Sequence, residues 1–162
     1  MIARILAINP EFIVADEPTS SLDVNVQAQM LSLLKKVREK FGLTCLFISH
    51  DLEVINTMSD KIAVMYLGKE LVEYGKTYDI FNSAVHPYTQ ALLSAILVPD
   101  PDAKRDRIAI GGEIPTQINS PSGCRFHTRC PYSKQVCKNK EPVVVTIGDG
   151  HQVACHLKMC VD

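Results

Sequence analysis

The sequence has no surplus of charge: 17 Lys and Arg stand against 18 Asp and Glu, a formal net charge of −1. A chain so balanced offers no bulk field for a nucleic acid, whose binding depends on neutralising many phosphates. Long apolar runs are also missing. Met1–Ile8 is apolar apart from Arg4, but Pro10 and Glu11 cut it short. That is too brief for a signal peptide, and no later run approaches the about 20 residues of a membrane span. A cytoplasmic protein is expected, with any membrane association arising through a partner. Internal repeats and low-complexity tracts are absent as well. What remains is a chain of 162 residues, 46% hydrophobic, enough for one globular domain or for part of one with an appendage.

The cysteines are unevenly placed. Cys45 stands alone in an apolar run, whereas Cys124, Cys130, Cys137, Cys155 and Cys160 crowd the C-terminal end. In a reducing compartment such crowding favours metal ligation over disulfides. Cys45 reads as a core residue and Cys160 as a spare.

Along the chain, Met1–Ile8 reads as the end of a helix stopped by Asn9-Pro10. Phe12–Ala15 and Leu43–Ile48 are short unbroken apolar runs, the pattern of parallel strands buried on both faces. Between them the spacing of Val26, Met30, Leu33, Leu34, Val37 and Phe41 predicts a helix from about Val24 to Lys40, with Asp23 as N-cap and Gly42 as its stop. Strand, helix, strand makes one βαβ unit. A short helix over Leu52–Met58, a hairpin of Lys61–Tyr66 and Lys69–Tyr74 turning at Leu67-Gly68, a turn at Thr77–Asn82 and a helix from Pro87 to about Leu97 follow. From Val98 onward prolines punctuate a loop-rich stretch. A boundary is placed between residues 82 and 83.

In an open parallel sheet, ligands sit beyond the carboxyl ends of the strands. Asp16-Glu17 and His50 each follow an apolar strand, so one βαβ unit projects them on the same edge. Two acids and an imidazole are what nucleoside-triphosphate hydrolysis needs: one carboxylate for Mg²⁺, one to orient or deprotonate water, and a group for the terminal phosphate.

The stretch FIVADEPTSSLD resembles the Walker B motif and D-loop of ABC-type ATPases, and FISHD resembles their switch-histidine segment. The resemblance implies an α/β fold, a partial P-loop NTPase (ABC ATPase) parallel sheet, with ATP and Mg as ligands. It implies that Asp16 holds Mg²⁺, that Glu17 is the general base and that His50 reads the γ-phosphate. Ser20, Leu22 and Asp23 match the D-loop, which contacts a second ATPase subunit. Singly, each residue has a simpler reading, since acids after strands often cap helices and lone histidines often serve in cores or caps. The pattern spanning residues 12–51 is what outweighs those readings.

A phosphate-cradling loop of the form G-x-x-x-x-G-K-[ST] does not occur, and Gly111-Gly112-Glu113 has neither its spacing nor its lysine. In the ABC family that loop, the glutamine loop and the signature precede the segment that MIARILAINP resembles. The expectation is therefore a fragment with Met1 internal to a longer parent, inactive by itself and with apolar sheet edges and faces exposed where further strands would pair.

The runs HPYTQALLSAI and GEIPTQINSPSGCRFHTRCPYSKQVC resemble the C-terminal region of oligopeptide and dipeptide importer ATPases. Residues 1–82 are thus expected to be the C-terminal half of an ABC ATPase domain, and 83–162 a small loop-rich, cysteine-containing extension. The implied partners are transmembrane permease subunits and, indirectly, a solute-binding protein, with the chain peripheral on the inner face of the cell membrane. The gaps between Cys124, Cys130, Cys137 and Cys155 hold five, six and seventeen residues, unlike the usual paired spacing of zinc sites. Family members with four cysteines here resemble [4Fe–4S] proteins, and these positions match. A zinc site completed by His127, His151 or His156, and unligated thiols, stay open as alternatives. Against the ATPase stands a truncated, non-hydrolysing chain serving as a metal- or iron–sulfur-binding module. A soluble ABC ATPase of DNA repair or translation is disfavoured by residues 85–156 and by the lack of a basic patch.

Overall fold

The computed structural model describes residues 8–68, 70–96, 108, 110–116 and 118–157. The helix expected over Met1–Ile8, the end of the helix at Leu97 and the spare Cys160 fall wholly or mainly outside them. The protein is a mixed α/β chain of two compact units, Met1–Ser59 and Asp60–Asp162.

In the first unit, β1 (Phe12–Asp16) and β2 (Thr44–Ile48) pair in parallel, with Phe12 opposite Thr44 and Asp16 opposite Ile48. The crossover between them is α1 (Val24–Phe41). Its first turn is held by Asp23, whose Oδ1 accepts hydrogen bonds from the Asn25 and Val26 N–H groups. Gly42 ends it in the left-handed region at φ 62°, which a residue without Cβ adopts freely. The next helix, α2 (Leu52–Met58), is tied to α1 at both ends. Gln27 Nε2 donates to its N-cap Asp51, and Arg38 Nη1 donates to the Met58 carbonyl, a cation where the helix dipole favours one.

The strands are not buried on both faces as the apolar runs suggest. By alternation Phe12, Val14, Leu46 and Ile48 share one face, and they are 54, 55, 50 and 44% exposed. Only Ala15 is buried on β1, no residue of α1 is buried, and Cys45 is exposed rather than a core residue. An unbroken apolar run reports the intention to be covered on two sides; a two-stranded sheet cannot supply both covers.

The second unit opens at Asp60, ahead of the boundary expected between residues 82 and 83, and its sheet recruits β-strands from beyond residue 144. Strands β3 (Lys61–Tyr66) and β4 (Glu70–Lys76) form the expected antiparallel hairpin, with positive φ at Leu67 and Gly68. Then come α3 (Thr77–Ser83), α4 (Pro87–Ser94) and, after the loops, α5 (Gln135–Asn139). Two very short strands, β5 (Val145–Thr146) and β6 (Gln152–Val153), complete the order β3-β4-β6-β5. The core gathers Tyr66, Val72, Cys124, Phe126 and Cys137. Phe126 meets the Tyr66 ring edge-on at 5.2 Å and lies 5.4 Å from Tyr88, the arrangement aromatic quadrupoles favour. Gly123 passes so close to Cys137 that a Cβ there would sit 2.4 Å from its carbonyl oxygen.

Candidate active site

Parallel pairing sets the site. With Asp16 opposite Ile48, the chain leaves both strands at the same edge, and Glu17 N–H donates to the Ile48 carbonyl at 2.9 Å. Glu17 itself lies at φ 44°, a left-handed conformation that costs a residue with a Cβ. It is held there from the loop side, where Ser20 gives both its N–H and its hydroxyl to the Glu17 carbonyl.

The strained turn delivers the Glu17 carboxylate to His50. Its Oε1 accepts the His50 backbone N–H at 3.1 Å and lies 2.8 Å from His50 Nδ1. Oε2 has no hydrogen-bond partner among the described residues, so one oxygen is anchored and the other is open. The bond with Glu17 and that carboxylate's charge raise the His50 pKa, and Asp51 adds a smaller push in the same direction. The His50 side chain is 79% exposed, so the imidazole is presented outward.

The remaining expected residues take other places. Asp16 stands exposed at the end of β1, with no hydrogen bond to Glu17 or His50 among the described residues. The Asp23 carboxylate is spent on capping α1 and the Ser20 hydroxyl on closing the loop, although both side chains lie at the surface. Leu22 is exposed too. Sequence reading passed over Asp51, which caps α2 through the Glu53 and Val54 N–H groups and whose own N–H donates to Ser49 Oγ. The signal was present: an aspartate directly before a helical pattern is an N-cap.

In the second unit the four expected metal ligands converge without forming a ligand set. Among the described residues no three His, Cys, Asp or Glu side chains stand where they could hold a metal ion. Cys124, Cys137 and Cys155 are buried and Cys130 half-buried, all as free cysteines. Burial pushes the Cys130 and Cys155 thiols up, which favours small apolar S–H groups, and Cys130 packs against the cluster that holds Phe126. The Cys137 sulfur nevertheless receives the Lys134 backbone N–H at 3.4 Å. The histidines are engaged elsewhere: His127 with the Cys124 carbonyl, His156 with the Lys140 carbonyl and His151 with Glu73.

Glu73 is the residue the pattern gave no hint of. It is completely buried, and Oε1 accepts from Val85 N–H and lies 2.8 Å from His151 Nε2, while Oε2 accepts from His86 N–H. His86 caps α4 by accepting the Tyr88 N–H at Nδ1, and burial lowers its pKa to about 4.

Among the described residues, no helix is long and apolar enough to cross a membrane. Residues 72–137 match the family model described as the C-terminal region of oligopeptide/dipeptide transporters. Over 158 residues the chain is 50% identical to the oligopeptide transport ATP-binding protein AppF of Bacillus subtilis, covering 96% of the chain and 48% of that relative. It is 48% identical over 154 residues to a Brucella ovis protein named as a peptide import ATP-binding protein, again with 95% of the chain and 48% of the relative covered. The chain thus spans about half the length of the curated relatives it matches. By sequence the chain is similar to ATP-binding proteins of peptide transport, and its residues 72–137 match the C-terminal region of oligopeptide/dipeptide transporters.

Proposed function

We propose that this chain supplies the water-activating and phosphate-sensing part of an ABC-type ATPase, within an ATP-binding subunit that energises peptide import. The observation that carries the reading is the Glu17–His50 pair at the carboxyl ends of two parallel strands. Anchored through Oε1, Glu17 keeps Oε2 open to take a proton from water attacking the terminal phosphate of Mg-ATP. His50 turns its other ring nitrogen outward toward that phosphate, and Asp16 at the edge of β1 holds the Mg²⁺. Ser20 and Asp23 belong to a loop that meets a second ATPase subunit. Residues 1–82 then belong to a P-loop sheet that needs strands beyond β1 and β2, and 83–162 to the family's extension. Coupling runs to transmembrane permease subunits on the inner face of the cell membrane, and solute reaches them from a binding protein.

A second reading concerns the extension, and the Lys134 N–H donated to Cys137 Sγ favours it. A donor aimed at sulfur stabilises thiolate, so closing the four cysteines on a [4Fe–4S] cluster, or on zinc, is the finer proposal for Cys124, Cys130, Cys137 and Cys155. Iron, sulfide and zinc analysis after anaerobic purification decides it, and a metal-free tail unchanged by serine at all four positions removes it.

For the ATPase the test is turnover in a polypeptide that joins this chain to a G-x-x-x-x-G-K-[ST] loop. Glu17→Gln should keep Mg-ATP binding and lower hydrolysis by about a hundredfold or more. Unchanged hydrolysis would take the base's role from Glu17. The 162-residue chain by itself, titrated calorimetrically with Mg-ATP, should show no micromolar binding.

A further inference from the structure

Residues 145–156 close one edge of the second unit's sheet. β5 pairs with β6 and β6 with β4, each over two residues. Ala154 N–H donates to the Val72 carbonyl at 3.0 Å, and His156 Nε2 lies 2.8 Å from the Lys140 carbonyl at the end of α5. Lys76 and Asp149 add an ion pair open to water, which solvent screens to little value. The strong tie is the buried one, 2.8 Å between His151 Nε2 and Glu73 Oε1. A hydrogen bond to an ionised group is about twice as strong as a neutral one. Gly75, two residues farther along β4, leaves the imidazole room, since a Cβ there would come within 3.4 Å of its Cδ2.

The two halves of this latch are unequal. Glu73 also accepts the Val85 and His86 N–H groups, and both donors stay when His151 leaves. Departure of residues 145–156 therefore leaves the carboxylate bonded, whereas loss of Glu73 strands every donor around it. The rest of the unit has its own support. The β3–β4 ladder, the ring contacts among Tyr66, Tyr88 and Phe126, and the 2.8 Å bond from Cys124 N–H to the Cys137 carbonyl all lie outside the segment. A short ribbon on a self-supporting body is the part of a fold that opens first. Cys155 rides on that ribbon, within reach of the charges of Cys130 and Cys137, which belong to the body.

We infer that residues 145–156 form a strap that opens without the rest of its unit, latched by Glu73 and His151, and that each opening carries Cys155 away from Cys130 and Cys137. The strength of the latch then sets how long four cysteines, rather than three, stand together. The device is independent of the ATPase reading and of whatever the cysteines bind.

The test compares two cysteines of equal burial. Cys124 and Cys155 are each 8% exposed, so a fixed structure would protect them equally from iodoacetamide. The full chain, reduced, is alkylated for increasing times, and peptide mass spectrometry reads each site relative to the same site in urea-unfolded chain. Cys45, exposed in the first unit, reports that the reagent is active. Cys155 should be modified at least about tenfold faster than Cys124. His151→Ala should speed Cys155 by about another tenfold, and His151→Gln, which keeps an N–H donor, should take back most of that gain. Phe126→Leu weakens the body that stays folded in the open form, so it should speed Cys124 and leave Cys155 unchanged. A His151 that only stabilised the unit as a whole would not give this split. Equal protection of Cys124 and Cys155 in the unsubstituted chain overturns the strap with no variant needed, as does a Phe126→Leu chain in which both sites speed up alike. An unaltered Cys155 rate in folded His151→Ala overturns the latch.

Discussion

The two compact units answer the same physical demand differently. Residues 1–59 leave Phe12, Val14, Leu46 and Ile48 in water on one sheet face, and α1 buries none of its residues. Residues 60–162 enclose an aromatic cluster, and even bury a carboxylate by surrounding it with two N–H groups and an imidazole. The loop-rich unit, richer in proline and weaker in pattern, is thus the one with a closed interior. Regular elements do not make a core by themselves; covering both sides of them does. The contrast extends to acid–histidine pairs, because the open unit presents Glu17 and His50 at its surface whereas the closed one keeps Glu73 and His151 paired inside.

The sharpest way to break this contrast is to open the closed unit. Glu73→Ala should cost on the order of 3–5 kcal/mol, since it strands the Val85 and His86 N–H groups and leaves His151 unpaired in a buried place. Urea unfolding followed by tyrosine fluorescence measures it, and a loss under about 1 kcal/mol would mean that water replaces the carboxylate easily.

Acid should reach the same unit next. His86 has its folded-state pKa lowered from 6.5 to about 4 by burial, so the native state binds its proton less readily than the unfolded chain. Stability is then complete above about pH 6.5 and falls as the pH drops toward 4, by roughly 3 kcal/mol in all. His86→Asn, which keeps a capping acceptor, should flatten that window in pH-dependent melts.

The open unit has smaller handles. Asp23→Ala removes the cap of α1 and should cost about 1 kcal/mol, read as lost helical circular dichroism near the transition. Least of all, Leu46→Thr should change stability by less than about 0.5 kcal/mol while lowering self-association in sedimentation. A large destabilisation there would show that the exposed face is covered in solution.

The units also differ in how far sequence reached. In the first, α1, its Asp23 cap and its Gly42 stop follow from period and cap chemistry, and the shared edge of Glu17 and His50 follows from strand ends. The apolar runs alone imply strands covered on both faces, whereas a half sheet implies open faces, and the exposure of Phe12, Val14, Leu46 and Ile48 follows the second expectation. The left-handed Glu17 was hidden, since nothing in Asp-Glu-Pro announces a positive φ on the acid. In the second unit the β3–β4 hairpin was legible from Leu67-Gly68, but β5 and β6 are two residues each and too short for any period. Glu73 was least legible, because the register shift after Val64 changes which β4 residues face inward. Distant partners, not local pattern, decide that a glutamate can live inside.

Synthesis proceeds from the N-terminus, and the partner of Glu73 lies 78 residues downstream. Until His151 has left the ribosome, the hairpin emerges with a wet acid where its interior will be. At roughly 5–20 residues per second that wait lasts several seconds. Throughout it β4 presents an unpaired edge, and chaperones or proteases have a defined interval in which to inspect the nascent chain. The last forty residues act, in this sense, as the timer that ends the inspection.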